Sequence, residues 1–199
     1  MTREELIQRI LKIMRTKGAH AIRMSRLHRE ANISSKLIKA HFSSKEEVFE
    51  ACMTWVLDIH KDFASTVQND LSLNPFQKLI RIYKHGLVEV MNYHPSFFFY
   101  LKKKQSSTYK LIDDYTKHIF NELYLALLEE SRNKGFLISG INLKVFCKTQ
   151  LSQSQIILEK MYAEYYEYTD QVVKIQLLSL RSILKKEFMD QFDEELMIK

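Results

Sequence analysis

Six residues near the N-terminus, Arg23, Ser35, Lys36, Lys39, His41 and Lys45, have the types and the spacing to hold a polyanion. Lysine and arginine neutralise phosphates, and short polar or cationic side chains at the start of a helix reach base edges in a groove of DNA. Lys39 and Lys45 are placed for phosphate, Ser35 and Lys36 for base edges. Their surroundings carry the same sign. From Lys17 to Lys45 there are seven basic side chains and one acidic, Glu30, which amounts to the +6 of the whole chain. Residues 51–199 hold nineteen basic and eighteen acidic side chains and so contribute almost nothing. Basic charge confined to one short unit is the electrostatic footprint of nucleic-acid binding.

Two short amphipathic segments must position these side chains. Met24, Leu27 and Ala31 share one helical face, and a second segment, Ser35 to His41, turns Leu37 and Ile38 inward and its polar residues outward. Between them Asn32 tolerates the left-handed conformation that ends a helix, and Ser34 can cap the next one. Two helices joined by so short a turn form a helix-turn-helix, whose second helix enters the major groove. A supporting helix precedes them, opened by the capping box of Thr2 and Glu5 and stopped by Gly18, with Leu6, Ile10 and Met14 inward. After them Ser43 or Ser44 caps a long helix from Lys45 to about Val67, with Val48, Cys52, Trp55, Val56, Ile59 and Phe63 on its apolar stripe. That helix starts in the head and ends in the body.

The same stretch resembles the tetracycline-repressor (TetR) family. Gly18, Leu27, Ala31, Ile33-Ser34, His41-Phe42 and Ser44-Lys45-Glu46 fall without a gap on the family's fingerprint. The resemblance covers about the first sixty residues. Five positions depart from it: Ile22 replaces a Thr or Ser, His28 a small Ala, Asn32 the turn Gly, Lys36 a common Gly, and Lys39 a nearly standard Tyr that contacts phosphate. Lysine can serve a phosphate as a point charge but cannot pack a ring. The resemblance implies an N-terminal three-helix DNA-binding head, residues 1–47, and a helical body, residues 48–199, that binds an effector between its helices and dimerises through its last two.

The body reads as helix throughout. Only four Gly and two Pro occur in 199 residues, which disfavours a β-rich fold, so the expected class is all-α. Asn74-Pro75 starts a helix to Asn92. A short one follows Pro95, with Phe97, Phe98 and Leu101, closed by Lys102-Lys103-Lys104. A long helix runs from Ser106 to Arg132 and ends at Asn133-Lys134-Gly135. Asn142 caps a helix reaching Met161, and a Tyr-rich bend leads to a last helix from about Thr169 to the neighbourhood of Phe192. The stripe on that last helix is broad enough to need two covering surfaces, its own body and a second subunit. Ile157, Met161, Leu177, Leu180, Leu184 and Phe188 are therefore the expected homodimer interface.

Trp55, Tyr83, His85, Phe97, Phe98, Tyr100, Tyr109, Tyr115, Phe146 and Gln150 form an aromatic and semi-polar group on helices expected to face one another. They are either an aromatic core or the lining of a small-molecule site for an apolar or aromatic effector. Catalytic chemistry finds no support. There is no Gly-rich phosphate loop, no GxSxG and no His/Cys spacing of a metal site, so neither enzyme activity, cofactor nor metal is expected. Cys52 and Cys147 lie far apart and read as buried thiols. The polar start and the lack of a long apolar run fit a cytoplasmic protein that does not enter membranes. Together with the resemblance, these features imply a ligand-responsive, dimeric regulator, expected to be a repressor on a palindromic double-stranded DNA operator. The alternative is a ligand-sensing or scaffold protein of the same fold that has lost DNA binding.

Overall fold

The computed structural model describes residues 1–94, 96–156 and 169–196. Among these residues the chain is helical, the single extended pairing being an isolated bridge between Leu137 and Leu184. Eleven helices are labelled here in chain order. The head comprises α1 (Arg3–Lys17), a 3-10 turn (Ala19–Ala21), α2 (Met24–Glu30) and α3 (Ser35–His41). Helix α4 (Lys45–Asn69) leads into α5 (Pro75–Met91), α6 (Phe97–Lys104) and α7 (Ser106–His118). A π-helical stretch (Ile119–Tyr124) joins α7 to α8 (Leu125–Asn133), followed by α9 (Leu143–Ile156), α10 (Thr169–Arg181), a 3-10 turn (Lys186–Phe188) and α11 (Met189–Leu196).

Local chemistry sets most of the starts. Thr2 and Glu5 form a reciprocal capping box on α1, and Asn74 and Gln77 form another on α5, where Pro75 occupies the first turn. Ser34 and Ser44 each accept a hydrogen bond from the amide three residues on. Asn32 stands at φ +52°, the one left-handed non-glycine residue described, and so reverses the chain between α2 and α3.

Two apolar cores run through the body of the molecule. The first gathers α1, α2, α3 and the start of α4, and it continues into Tyr93, Phe97, Phe98, Leu101 and Ile112. Ile22, the residue in place of a hydroxyl side chain, is completely buried within it. The second core lies between the far end of α4, α5, the π-helical stretch, α8, α9 and α10. Helix α6 is therefore packed against the head on one side and α7 on the other.

The expected long helix from Ser106 to Arg132 forms with a wide turn in it. Ile112, Thr116, Phe120, Tyr124 and Leu128 repeat every four residues, and such a series drifts about 40° per step from one face of a straight α-helix. Inserting a π-helical turn between Ile119 and Tyr124 resets the drift and keeps Phe120, Tyr124 and Leu128 buried.

The single last helix expected from Thr169 to Phe192 does not form. It ends at Arg181, where the chain turns onto the link after α8: Ile138 N donates to Ile183 O at 3.0 Å, and Lys185 N donates to Phe136 O at 2.9 Å. These bonds pair backbone groups on either side of Leu137, which is buried. The chain then resumes as α11, held by Arg181 on Asp193 (Nε–Oδ1 2.6 Å, Nη2–Oδ2 3.0 Å) and by Phe192 against Phe76. Leu177, Leu180 and Leu184, expected between subunits, are buried inside a single chain, and Phe188 packs edge-on against Phe136. Ile157 and Met161 lie outside the described residues. The apolar side chains that α10 leaves in solvent are Ile175 (63% exposed) and Leu178 (48%).

Candidate nucleic-acid interface and internal cavity

Helix α3 buries Ile38 in the head core and leaves Ser35, Lys36 and Lys39 in solvent, with Arg23 exposed at the start of α2. Four of the six candidate contacts are thus available on one surface unit. His41 is half-buried. Lys45 is half-buried as well and is already engaged: its Nζ donates to Tyr100 Oη at 2.5 Å and lies over the rings of Tyr100 and Phe49, 4.9 and 5.5 Å from their centroids. The single acidic residue of the unit, Glu30, is bound by Lys17 at 2.6 Å, and that hydrogen bond holds its carboxyl below the usual carboxylate range.

Beneath the head, a cavity of about 120 Å³ lies between α4, α5, α6, α7 and the π-helical stretch, with Ser154 of α9 at its edge. Met53, Val56, Leu57 and His60 of α4 form one wall; Tyr83, Gly86, Leu87, Glu89 and Val90 of α5 form the next. Ile112, Tyr115, Thr116, Ile119, Phe120 and Tyr124 complete it, with Tyr93 and Phe98 on the side towards the head. The wide π turn is what brings Ile119, Phe120 and Tyr124 to this wall together.

His60 organises the polar part. Its Nε2 lies 3.3 Å from Ile82 O, which can only accept, so Nε2 carries the proton. Nδ1 is then an acceptor, and Tyr115 Oη donates to it at 2.6 Å. Burial, with the neighbouring His85 ring 5.2 Å away, pushes the His60 pKa down to about 4, and burial raises that of Tyr115 to about 12. Both groups are neutral near pH 7. A Cβ on Gly86 would stand 3.0 Å from His60 Nε2, so a side chain there would press on the His60 ring. Glu89 is paired with Arg15 of α1, whose guanidinium also lies 5.4 Å above the ring centre of Tyr93. The cavity wall is thereby tied directly to the supporting helix of the head.

Of the ten aromatic and polar residues singled out in the sequence, Tyr83, Phe98 and Tyr115 line the cavity. Gln150 stands behind Tyr83, whose hydroxyl lies 3.0 Å from Gln176 Oε1 and 3.3 Å from Gln150 Oε1. His85 stacks on Phe63 behind His60. Phe97 and Tyr100 pack against Phe49, 6.4 and 5.9 Å between centroids, and belong with Tyr109 to the first core; Phe146 packs on the second. Trp55 faces outward into a groove between α1 and α4, beside Arg3, Ile7 and Glu50. The main lining residue not named from the sequence is His60. Its signal was a polar side chain on the stripe Val56, His60, Phe63, Val67, where helical spacing demands burial.

Comparison with known proteins places these features. Residues 6–52 match the family model described as bacterial regulatory proteins, tetR family. The crystal structure of a gamma-butyrolactone receptor (ArpA-like protein) superposes with a TM-score of 0.66 at 10% identity, covering 98% of this chain and 94% of that one. A transcriptional regulator from Cytophaga hutchinsonii gives 0.65 at 13% identity, covering 92% and 98%. The ketosteroid transcriptional regulator KstR2 of Mycobacterium tuberculosis gives 0.60 at 15%, covering 92% and 95%. At such identities the likeness is one of fold. No curated protein sequence matches the chain. Among the described residues, no helix is long and apolar enough to cross a membrane.

Proposed function

We propose a function on the premise that the chain belongs to the tetR family of bacterial regulatory proteins. It is a transcriptional regulator that binds a palindromic operator as a homodimer, represses there, and is released when a small apolar or aromatic molecule enters the cavity. Residues 1–47 read DNA; residues 48–199 sense the effector and dimerise. One observation carries this reading. Helix α4 lines the cavity with Met53, Val56, Leu57 and His60, and the same helix begins with Lys45 immediately after the exposed recognition helix α3. An occupant that displaces α4 moves the DNA-reading unit with it.

In this proposal Lys39 and, when released from Tyr100, Lys45 hold phosphates, with Arg23 and His41 at the flanks. Ser35 and Lys36 meet base edges. Dimerisation uses the exposed side of the last long helices, where Ile175 and Leu178 stand in solvent together with Val145 and Ile156 of α9. A two-fold site needs two heads about 34–36 Å apart or a multiple of that. A ligand lowers operator affinity only through its preference for the state with wrongly spaced heads, a coupling of about 1–3 kcal/mol in comparable switches.

Duplexes taken from DNA beside the protein's own gene, titrated by fluorescence anisotropy over a range of salt, test the reading. The expected result is a tight, salt-dependent site on one of them, and dimers by light scattering at micromolar concentration. A second reading, the sensor without DNA binding, draws on the pairing of Lys45 with Tyr100 and on Lys39 in place of the family's Tyr. Absence of any salt-dependent duplex binding would decide for it.

A further inference from the structure

The cavity has a chemistry of its own, and it constrains what can enter. No lysine or arginine is among the described lining residues, and the one carboxylate there, Glu89, is neutralised by Arg15. His60 and Tyr115 are uncharged and bonded to each other. A charged ligand would find no counter-ion and would lose its hydration on entry. Size is limited as well: a dry apolar cavity of about 150 Å³ holds one benzene ring, and this one measures about 120 Å³.

One lining hydroxyl is nonetheless unspent. Ser154 Oγ is buried without a hydrogen-bond partner and faces the cavity, whereas Tyr93 Oη lies beside the Arg15 guanidinium. Ser154 is 9% exposed and Tyr93 2%. The Tyr83 hydroxyl near Ser154 is turned to the glutamines instead. Tyr115 Oη, which donates its hydrogen bond to His60, retains an acceptor lone pair. A buried polar atom without a partner is costly, so a guest that satisfies one gains more than its apolar contact alone.

We propose that the cavity binds an uncharged single-ring molecule of about benzene's size, roughly seven non-hydrogen atoms or fewer, bearing one hydroxyl or carbonyl group that bonds to Ser154. Carboxylates are excluded from it. This assignment rests on the reading of the cavity as the effector site, and it names the class of effector.

Isothermal titration calorimetry of the full chain with phenol, benzene and benzoate tests it. Phenol should bind saturably with one molecule per chain, benzene roughly tenfold more weakly for want of the hydrogen bond, and benzoate not at all. Ser154→Ala should bring phenol down to the benzene level while leaving benzene unchanged. Val56→Phe, which fills the cavity from α4, should abolish both, and Ser154→Ala stands alone should that variant not fold. Benzoate binding as well as phenol, equal affinities for phenol and benzene, or no saturation by phenol below about 10 mM would each overturn the assignment. Operator affinity measured with phenol present separates the two readings. Phenol that binds through Ser154 yet leaves operator affinity unchanged upholds the ligand class and removes the switch.

Discussion

The surface of α3 and the cavity beneath α4 treat polar groups in opposite ways. On α3, Ser35 and the two cationic side chains Lys36 and Lys39 stand in water. In the cavity, His60, Tyr83 and Tyr115 are sunk among apolar side chains, uncharged, and committed to one or two fixed partners each. Surface charges act additively, through long-range attraction that salt weakens. Cavity groups act through geometry, where one missing or added atom matters. A change of equal chemical size should therefore have a graded effect in the first region and a steep one in the second.

The largest contrast comes from placing a charge on either side of that divide. Leu180→Glu or Leu184→Glu puts a carboxylate into the second core and should abolish cooperative folding, a loss of about 4 kcal/mol or more. Leu178→Glu, one helix position pair away but exposed, should change stability by only about 0.5 kcal/mol. Thermal melts by circular dichroism measure both, and light scattering on Leu178→Glu reports whether that face joins subunits. A folded, monomeric Leu180→Glu would show the stripe to be interface after all.

Acid provides the next. The folded pKa of His60, about 4, lies below its ordinary 6.5, so the unfolded chain takes up a proton that the folded chain refuses. Its contribution is fully present above pH 6.5 and is lost as the pH falls towards 4, by about 3 kcal/mol in all. Denaturant titrations across that window should show the decline in the wild type and a shallower one in His60→Gln. Parallel curves would mean that His60 does not titrate as a buried neutral group.

Changes on the recognition surface should be milder. Lys39→Ala should leave the melting temperature alone and reduce the slope of log affinity against log salt by about one. The smallest effect is expected where the two regions meet. Tyr100→Phe removes the hydroxyl that holds Lys45 but keeps the ring beneath it, and should raise duplex affinity by roughly two- to fivefold at low salt with a slope steeper by up to about one. An unchanged slope would show that Lys45 leaves Tyr100 without help when DNA arrives.

What the amino-acid sequence determined by itself is everything that residues settle with neighbours four positions away or fewer. The capping boxes at Thr2 and Asn74, the Ser34 and Ser44 caps, the reversal at Asn32 and the basic outward face of α3 are of this kind, because donor, acceptor and backbone angle all lie within one turn. The helix-turn-helix followed from them, and the all-α class from the scarcity of Gly and Pro. Tertiary structure alone decided the rest. A periodic stripe says that Leu180 and Leu184 are covered but not by what, and the chain between them leaves the helix to bond with the link after α8. Which aromatic residues surround a cavity depends on the rotation of five helices at once. Tyr83, Phe98 and Tyr115 turned inward, while Trp55 turned to an outer groove and Tyr100 to Lys45. Those choices rest on contacts between residues twenty to a hundred positions apart, and helical spacing carries no record of them.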